Sequence, residues 1–537
     1  MKRLNDFSLL AGKSVFLLKT ATRYLLECLL SGCCIFLLCA PALLCAPALL
    51  CAPANASELK IALQDDPDNL DPALAKTFSG RLVYTAMCDK LIDISKEADF
   101  VPELAQSWSF SDDGKTLKLH LRKDVIFHDG TPFNADAAIY SLKRAMSFSH
   151  SVRENELSSV SGIEATGPFE VTIKLKYPDA ALLSHLADRA GVMVSPKAAR
   201  EMGSDFGLKP VCAGPFRFVE HVPHDRIVLE KFDRYWNSQE IKLDLVTFLS
   251  IEDPSVRFSN LRAGIVDMTD RLSSGDFAKA KTVSRLKTER MASEAYIALT
   301  INIANGSRSA TPLGQQKRLR QAFSLAIDRA SIRDNVYGGA MVVGNQPWAP
   351  DTIWFNSGYP VPPRNLEKAR ELIQQAGFAN QKIDVQISHS NEPTVVQSMQ
   401  AIKVMADEAG FNVSLHPKEE TKLAADNSQG NFEVSAQKWS GRIDPDGNVY
   451  WFVTCEGGDN IGKYCNPDLD KKLSAAREAL DPAERADLYH YAASVLQEDM
   501  PIIYLGHPDY IYAYTKKLHG FHPYPDGMIR FSNMYKD

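Results

Sequence analysis

The chain lacks any surplus of positive charge. Its 60 Lys and Arg stand against 66 Asp and Glu, a net of −6, which argues against a nucleic-acid partner held by a basic surface. Cysteine is scarce over most of the length: of ten, Cys28, Cys33, Cys34, Cys39, Cys45 and Cys51 precede residue 52, and only Cys88, Cys212, Cys455 and Cys465 follow it. No low-complexity linker and no domain-scale repeat occurs after residue 57. Catalytic motifs are missing as well: the same region has no H-E-x-x-H helix, no G-x-S-x-G elbow and no C-x-x-C pair. Gly12-Lys13-Ser14 resembles the end of a phosphate-binding loop, but Phe7 stands where glycine is needed. What is present is globular: 537 residues, 45% hydrophobic and 23% charged, enough for about three units of roughly 150 residues.

The first 56 residues read as an export signal. Lys2, Arg3, Lys13, Lys19 and Arg23 precede an apolar run from Cys28 to Ala54, and Ala54-Asn55-Ala56 is the small-x-small pattern of a cleavage site, so Ser57 would open the mature chain. Removal of residues 1–56 leaves 481 residues and a net charge of −9. The 27-residue run also fits an uncleaved anchor, although Pro41, Pro47 and Pro53 disfavour a spanning helix. Leu30-Ser31-Gly32-Cys33 resembles a lipobox, but Lys19, Arg23 and Glu27 interrupt the hydrophobic stretch before it. Export brings an oxidising compartment. The four remaining cysteines then allow two disulfides; the loop-staple spacing of Cys455 and Cys465 makes the simplest pairing that one plus Cys88 to Cys212, and four buried thiols are the alternative.

Periodicity organises the rest. Leu59–Leu63 reads as a strand entering the turn-rich QDDPDNLDP, and Trp108–Phe110 with TLKLHLRK forms a hairpin in which Leu117, Leu119 and Leu121 share one face. FHDGTPF makes turns, and Asn134 caps a helix over ADAAIYSLKRAM. Further on, helices are expected over 316–329 and 366–376, and strand, helix and strand from Lys382 through FNVSLH form a βαβ unit. A strand from Asn431 empties into the loop Ser440–Asn448. Ligands of open α/β sheets bind beyond the carboxyl ends of strands, so this loop, with Arg442, Asp444 and Asp446 between Trp439 and Trp451, is the default site. Asp444-Pro-Asp446-Gly447-Asn448 begins like a calcium loop but lacks its closing glutamate, and His128-Asp129 reads as a turn rather than as a base with its orienter.

Residues 101–146, with P-E-L-A, S-W, D-G-K-T, L-R and F-H-D-G-T-P-F in order, resemble the family 5 extracellular solute-binding proteins of ABC importers. Asn69–Pro72, Ala213–Phe216, Tyr235-Trp236-Asn237, Arg320–Arg329 and Tyr464–Asp470 extend the resemblance over essentially all of 57–537. It implies an α/β, two-lobed periplasmic-binding-protein clamshell of type II. Lobe 1 would hold 57–301 and 501–537, with a hairpin-rich subdomain at about 89–216, and lobe 2 would hold 302–500. The implied protein is a periplasmic monomer without cofactor or catalysis, which closes on a small peptide or peptide-like solute and delivers it to the permease subunits. In peptide-binding members an aspartate three residues after a tryptophan holds the solute's amino group. Here that position is Arg442, so either Asp444 or Asp446 takes over the amine or an anionic end is gripped instead. By position, Phe78, Ser79 and Arg81 belong to a cleft-facing segment, and Trp348 and Trp439 are candidate cleft walls. Glutathione and opines fit two facing arginines. A nickel-chelate or haem receptor is the alternative, with His120, His128, His221 and His224 as the available imidazoles, and an exported hydrolase is the remote one.

Overall fold

The structure is a computed structural model that describes residues 56–537; the export segment, but for Ala56, and its six cysteines lie outside the described residues. Three sheets organise the chain. The first has seven strands in the spatial order Leu286–Met291, Tyr510–Thr515, Met268–Thr269, Glu58–Leu63, Leu245–Ser250, Arg226–Lys231 and Phe216–Val222. The second has six: Met341–Val343, Ile502–Pro508, Tyr296–Ile301, Val434–Trp439, Ile383–Ser390 and Phe411–Lys418. A four-stranded antiparallel sheet, Ala105–Phe110, Thr116–Leu121, Glu170–Leu175 and Val160–Gly167, forms a third body with its own core from Leu91 to Ala213.

Local chemistry accounts for the elements. The hairpin pairs Trp108 with Leu119, and Leu117, Leu119 and Leu121 are all buried on its inner face, each worth about 2 kcal/mol of transfer free energy. Asn134 caps the helix Ala135–Ser147 by accepting from the Ala137 amide at 3.0 Å. Ile383–Ser390, the helix Pro393–Ala409 and Phe411–Lys418 form the expected βαβ unit, with the two strands parallel. The helix expected over 316–329 is two helices, Lys317–Ala326 and Arg329–Asn335, because Asp328 turns out of the helix to cap the second by accepting from Ser331 N. Arg320 and Arg329 do not face solvent there. Both are buried and donate to main-chain carbonyls, Arg329 to Tyr504 O at 2.9 Å and Arg320 to Asp499 O at 2.8 Å.

The motifs near the chain's start are built into the frame. In Asn69–Pro72, Asp71 is fully buried and paired with Arg144 (Nη1 to Oδ1, 2.7 Å), which ties the third body's helix to the first sheet's loop. In FHDGTPF, His128 Nε2 lies 3.0 Å from Gly214 O, and Asp129 accepts from Ser195 and Thr131. His128 and Asp129 thus serve a turn. Burial pushes the His128 imidazole down to about 4, so it is neutral at pH 7.

The borders expected at 301/302 and 500/501 are corrected by sheet membership. Tyr296–Ile301 and Ile502–Pro508 pair with each other inside the second sheet, so the chain crosses between sheets at residues 292–295 and again at Asp509. Tyr296–Ile301 and Tyr510–Thr515 are buried along their whole length, and a strand covered on both faces carries no alternation to show where it belongs. Among the described residues no helix is long and apolar enough to cross a membrane.

Candidate functional site

Two local devices bring the charged groups together. Thr77 caps the helix Phe78–Met87, its hydroxyl accepting from Gly80 N at 3.2 Å, and Arg81 projects from the first turn. Across from it, the loop after Val434–Trp439 is shaped by Asn448. The Asn448 amide oxygen accepts from Arg442 N (2.8 Å) and from the Trp439 indole (2.9 Å), and its NH2 donates to Arg442 O at 2.9 Å. Gly441 is required at the bend. Its φ is +77°, and a Cβ there would lie 2.3 Å from the carbonyl carbon of Glu294 in the first crossing between sheets.

The two arginines meet on a single carboxylate. Arg81 Nε lies 2.7 Å from Asp188 Oδ1 and Arg442 Nε lies 3.4 Å from Oδ2, while Arg189 Nε stands 3.7 Å from Oδ1. Arg81 comes from the helix packed on the first sheet, Arg442 from the loop after a strand of the second and Asp188 from the third body, so all three parts converge here. Each of these side chains is buried to about nine-tenths. Burial would raise the Asp188 carboxyl, but Arg81, Arg189 and Arg442 together hold it well below the usual carboxylate range. Arg442 is the under-compensated partner: burial, with Arg189 and Arg81 nearby, pushes its guanidinium down to about 9 despite Asp188. Arg153, whose Nε has no partner, adds a further buried cation, paired on its other side with Glu156. Asp526 contributes a carboxylate to Arg81 at 3.6 Å but is shared with Arg530 at 2.7 Å. A narrow cavity of water-molecule size lies among Arg81, Asp188, Glu294, Arg442 and Asp526.

The remaining candidates divide between this cleft and the body of the fold. Phe78 packs on Tyr510 (centroids 5.6 Å apart), and the Arg271 guanidinium lies 4.4 Å above its ring. The Ser79 hydroxyl is already hydrogen-bonded to Asp65. Trp439 supports the Arg442 guanidinium, which sits 4.3 Å from its ring centre. Trp348 does not wall the cleft. It is fully buried, its indole donating to Pro445 O at 3.1 Å and its ring against Tyr489, because the polar loop needs an apolar backing. Asp444 and Asp446 do not offer carboxylates to an amine either. Asp444 takes both Arg485 nitrogens (2.8 and 2.9 Å) and Asp446 takes Arg477 (2.6 and 3.1 Å), all four side chains being buried. These pairs brace the loop, and the calcium-like spacing is explained by them.

Both disulfides, Cys88–Cys212 and Cys455–Cys465, form as paired in the sequence reading. Among the described residues no group of three or more His, Cys, Asp and Glu can hold a metal ion; His221 pairs with Asp66 at 3.2 Å, and His120 with Glu170 at 3.3 Å. Asp188, Arg189, Arg153 and Glu294 escaped the sequence reading. Asp188 and Arg189 sit at a helix end in LADRAG, and nothing in their spacing separates them from surface charges.

A two-lobed α/β fold with a third body, in which all three contribute to one buried charge cluster, has the architecture of a type II periplasmic binding protein. The chain belongs to the bacterial extracellular solute-binding proteins, family 5, whose profile matches residues 99–460. Members are the non-catalytic receptors of ABC importers. The chain is 28% identical to the glutathione-binding protein GsiB of Pectobacterium atrosepticum over 489 residues, 89% of this chain and 94% of that one. Solved structures superpose closely: Helicobacter pylori DppA in complex with the peptide STSA has a TM-score of 0.79 at 22% identity, covering 90% of this chain and 98% of that one. AgaA of A. tumefaciens R10 in complex with agropinic acid has a TM-score of 0.79 at 24% identity, covering 89% and 99%.

Proposed function

We propose that this receptor captures small peptide-like solutes carrying a carboxylate, which Arg81 and Arg442 grip from opposite lobes as the clamshell closes. The observation that carries this reading is the charge balance at Asp188: one carboxylate serves three guanidinium groups, and Arg442 is left short of negative charge in a desolvated cleft. A solute carboxylate supplies what is missing, with the planar, bidentate match that guanidinium favours. Contacts to both lobes at once are what let a solute drive closure, since only differential affinity for the closed form shifts the equilibrium. Two of its relatives bind acidic solutes, glutathione and agropinic acid, which supports the same class.

The loaded form hands its solute to the permease subunits, and the protein acts as a monomer in the periplasm after cleavage before Ser57. Amino-terminal sequencing of the exported protein tests the cleavage. Calorimetry against glutathione, acidic di- to pentapeptides and opines, each compared with its carboxyl-amidated form, tests the solute class. Equal affinity for acid and amide forms would sink it.

A further inference from the structure

A second cavity shares Arg81, Asp188 and Asp526 with the cleft cavity but takes no residue from the second sheet or its loops. Its other polar walls are Tyr84, Lys90 and Arg189, between the helix Phe78–Met87 and the third body. It has room for one water-sized particle, too little for a sulfate or a phosphate. Among the described residues twelve buried side-chain polar atoms lack a hydrogen-bond partner, and four gather in this one cluster: Tyr84 Oη, Arg189 Nε, Arg153 Nε and Glu156 Oε2. Tyr84 and Arg189, both more than nine-tenths buried, line the cavity, and both unpartnered atoms are donors. Arg189 Nε is 3.7 Å from Asp188 Oδ1, beyond hydrogen-bond reach, while Arg81 holds that oxygen at 2.7 Å. Burial pushes the Tyr84 phenol up to about 12 although Arg189, Arg153 and Arg81 all pull it down, so its proton is present at pH 7. Charge points the same way. Four guanidinium groups, of Arg81, Arg189, Arg442 and Arg153, act on Asp188, and the one other carboxylate committed to them is Glu156, which pairs with Arg153. Asp526 reaches Arg81 at 3.6 Å but is held by Arg530 at 2.7 Å, and Lys90 is engaged with Asp93 (3.1 Å) and Glu103 (3.4 Å). Asp459, the further acid near Arg442 and Arg153, is exposed and does not line this cavity.

We infer that this second cavity is a site for a single halide ion, chloride in the protein's natural setting, which accepts from the Tyr84 hydroxyl and the Arg189 Nε–H and offsets the surplus of guanidinium charge. A buried donor without an acceptor is costly, and a buried cation without a counter-charge more so. Chloride answers both at once. A water in the same place accepts from the two donors but leaves the charge uncompensated in a desolvated site. Arg153 and Glu156 do not line the cavity and contribute charge rather than contact. Tyr84 stands on the helix packed against the first sheet and Arg189 in the third body, so the ion pins the two together and steadies the turn from which Asp188 reaches the cleft. The site is independent of the solute reading above.

Crystals of the full exported protein, grown without halide and soaked in sodium bromide, test it by anomalous diffraction at the bromine edge. The expected result is a bromide peak between Tyr84 Oη and Arg189 Nε. A peak only beside Arg442 in the cleft, or a water alone in this cavity, overturns the inference. In solution, thermal unfolding is followed as gluconate is replaced by chloride at fixed ionic strength, with no solute present. The wild type should gain Tm along a saturating curve in the millimolar range, by at least about 2 °C at roughly 100 times the dissociation constant. Tyr84→Phe removes an unpaired donor, so in gluconate it should melt at or above the wild type, and its chloride gain should disappear. Arg442→Ala, which alters the cleft and not this cavity, should keep the gain. Equal chloride gains in the wild type and Tyr84→Phe mean screening, and a Tyr84→Phe loss of the same size in gluconate and in chloride means a bridging water; either overturns the halide. An ion seen only at molar bromide, with no gain at millimolar chloride, is adventitious and overturns it too.

Discussion

Replacing Arg442 by alanine should separate binding from stability. In the proposed complex its guanidinium meets a solute carboxylate in a site where it is about one-tenth exposed, and truncating one partner of such a pair costs about 2–5 kcal/mol. That is a loss of about 30-fold to several thousand-fold in Kd. The fold has little to lose. Burial and the neighbouring Arg189 and Arg81 hold the guanidinium down at about 9, so keeping it charged at pH 7 works against folding, on the order of a few kcal/mol. Against that stand its contact with Trp439 and its hydrogen bond to Gly441 O, worth about 1–3 kcal/mol together. Asp188 keeps Arg81 and Arg189 when Arg442 is gone. The ligand-free variant should therefore unfold within about 3 °C of the wild type or above it, given that 1 kcal/mol moves Tm by about 2–4 °C in domains of roughly 150–250 residues. Calorimetry with the tightest-binding acidic solute and a thermal melt without it are the assays. Affinity kept within about threefold, or a melt lowered by more than about 8 °C, would refute the reasoning.

Other perturbations should behave differently. Asp446→Asn leaves Arg477 buried without its carboxylate and should cost about 3–5 kcal/mol in denaturant unfolding, yet leave the requirement for a solute carboxylate unchanged. Asp188→Asn removes a carboxyl whose folded pKa lies below its unfolded value. Its contribution is complete above about pH 4 and fades as pH falls through the acid range, so the variant should be less stable at pH 7 and show a flatter stability profile below pH 4. Replacing the cysteine pair 88 and 212 by serine, which frees a separation of 124 residues, should cost about 5 kcal/mol, and replacing 455 and 465, separated by 10, about 3 kcal/mol; equal losses would argue against a chain-entropy origin.

Elements whose chemistry is local were legible. The cap at Asn134, the alternating leucines of the hairpin and the βαβ order from Lys382 depend on neighbours within a few residues, and each forms as read. The motifs carrying the resemblance were legible for a related reason. Asp71 with Arg144, and His128 with Gly214, hold the bodies together, so their pattern marks the frame and not the solute. The site was read only in part. Arg81 and Arg442 do meet, but Asp444, Asp446 and Trp348, with equal standing in the same stretches of sequence, turn out to brace the loop.

From the sequence came the fold class and the inversion of charge at Arg442, both through the motif order that carries the family resemblance, and the two disulfides as the simplest of several pairings, which the structure then forms. Only the tertiary structure decided which carboxylates are free. Whether an aspartate is available depends on the arginine packed beside it, and Arg485, Arg477 and Arg81 lie dozens to more than a hundred residues from the acids they neutralise.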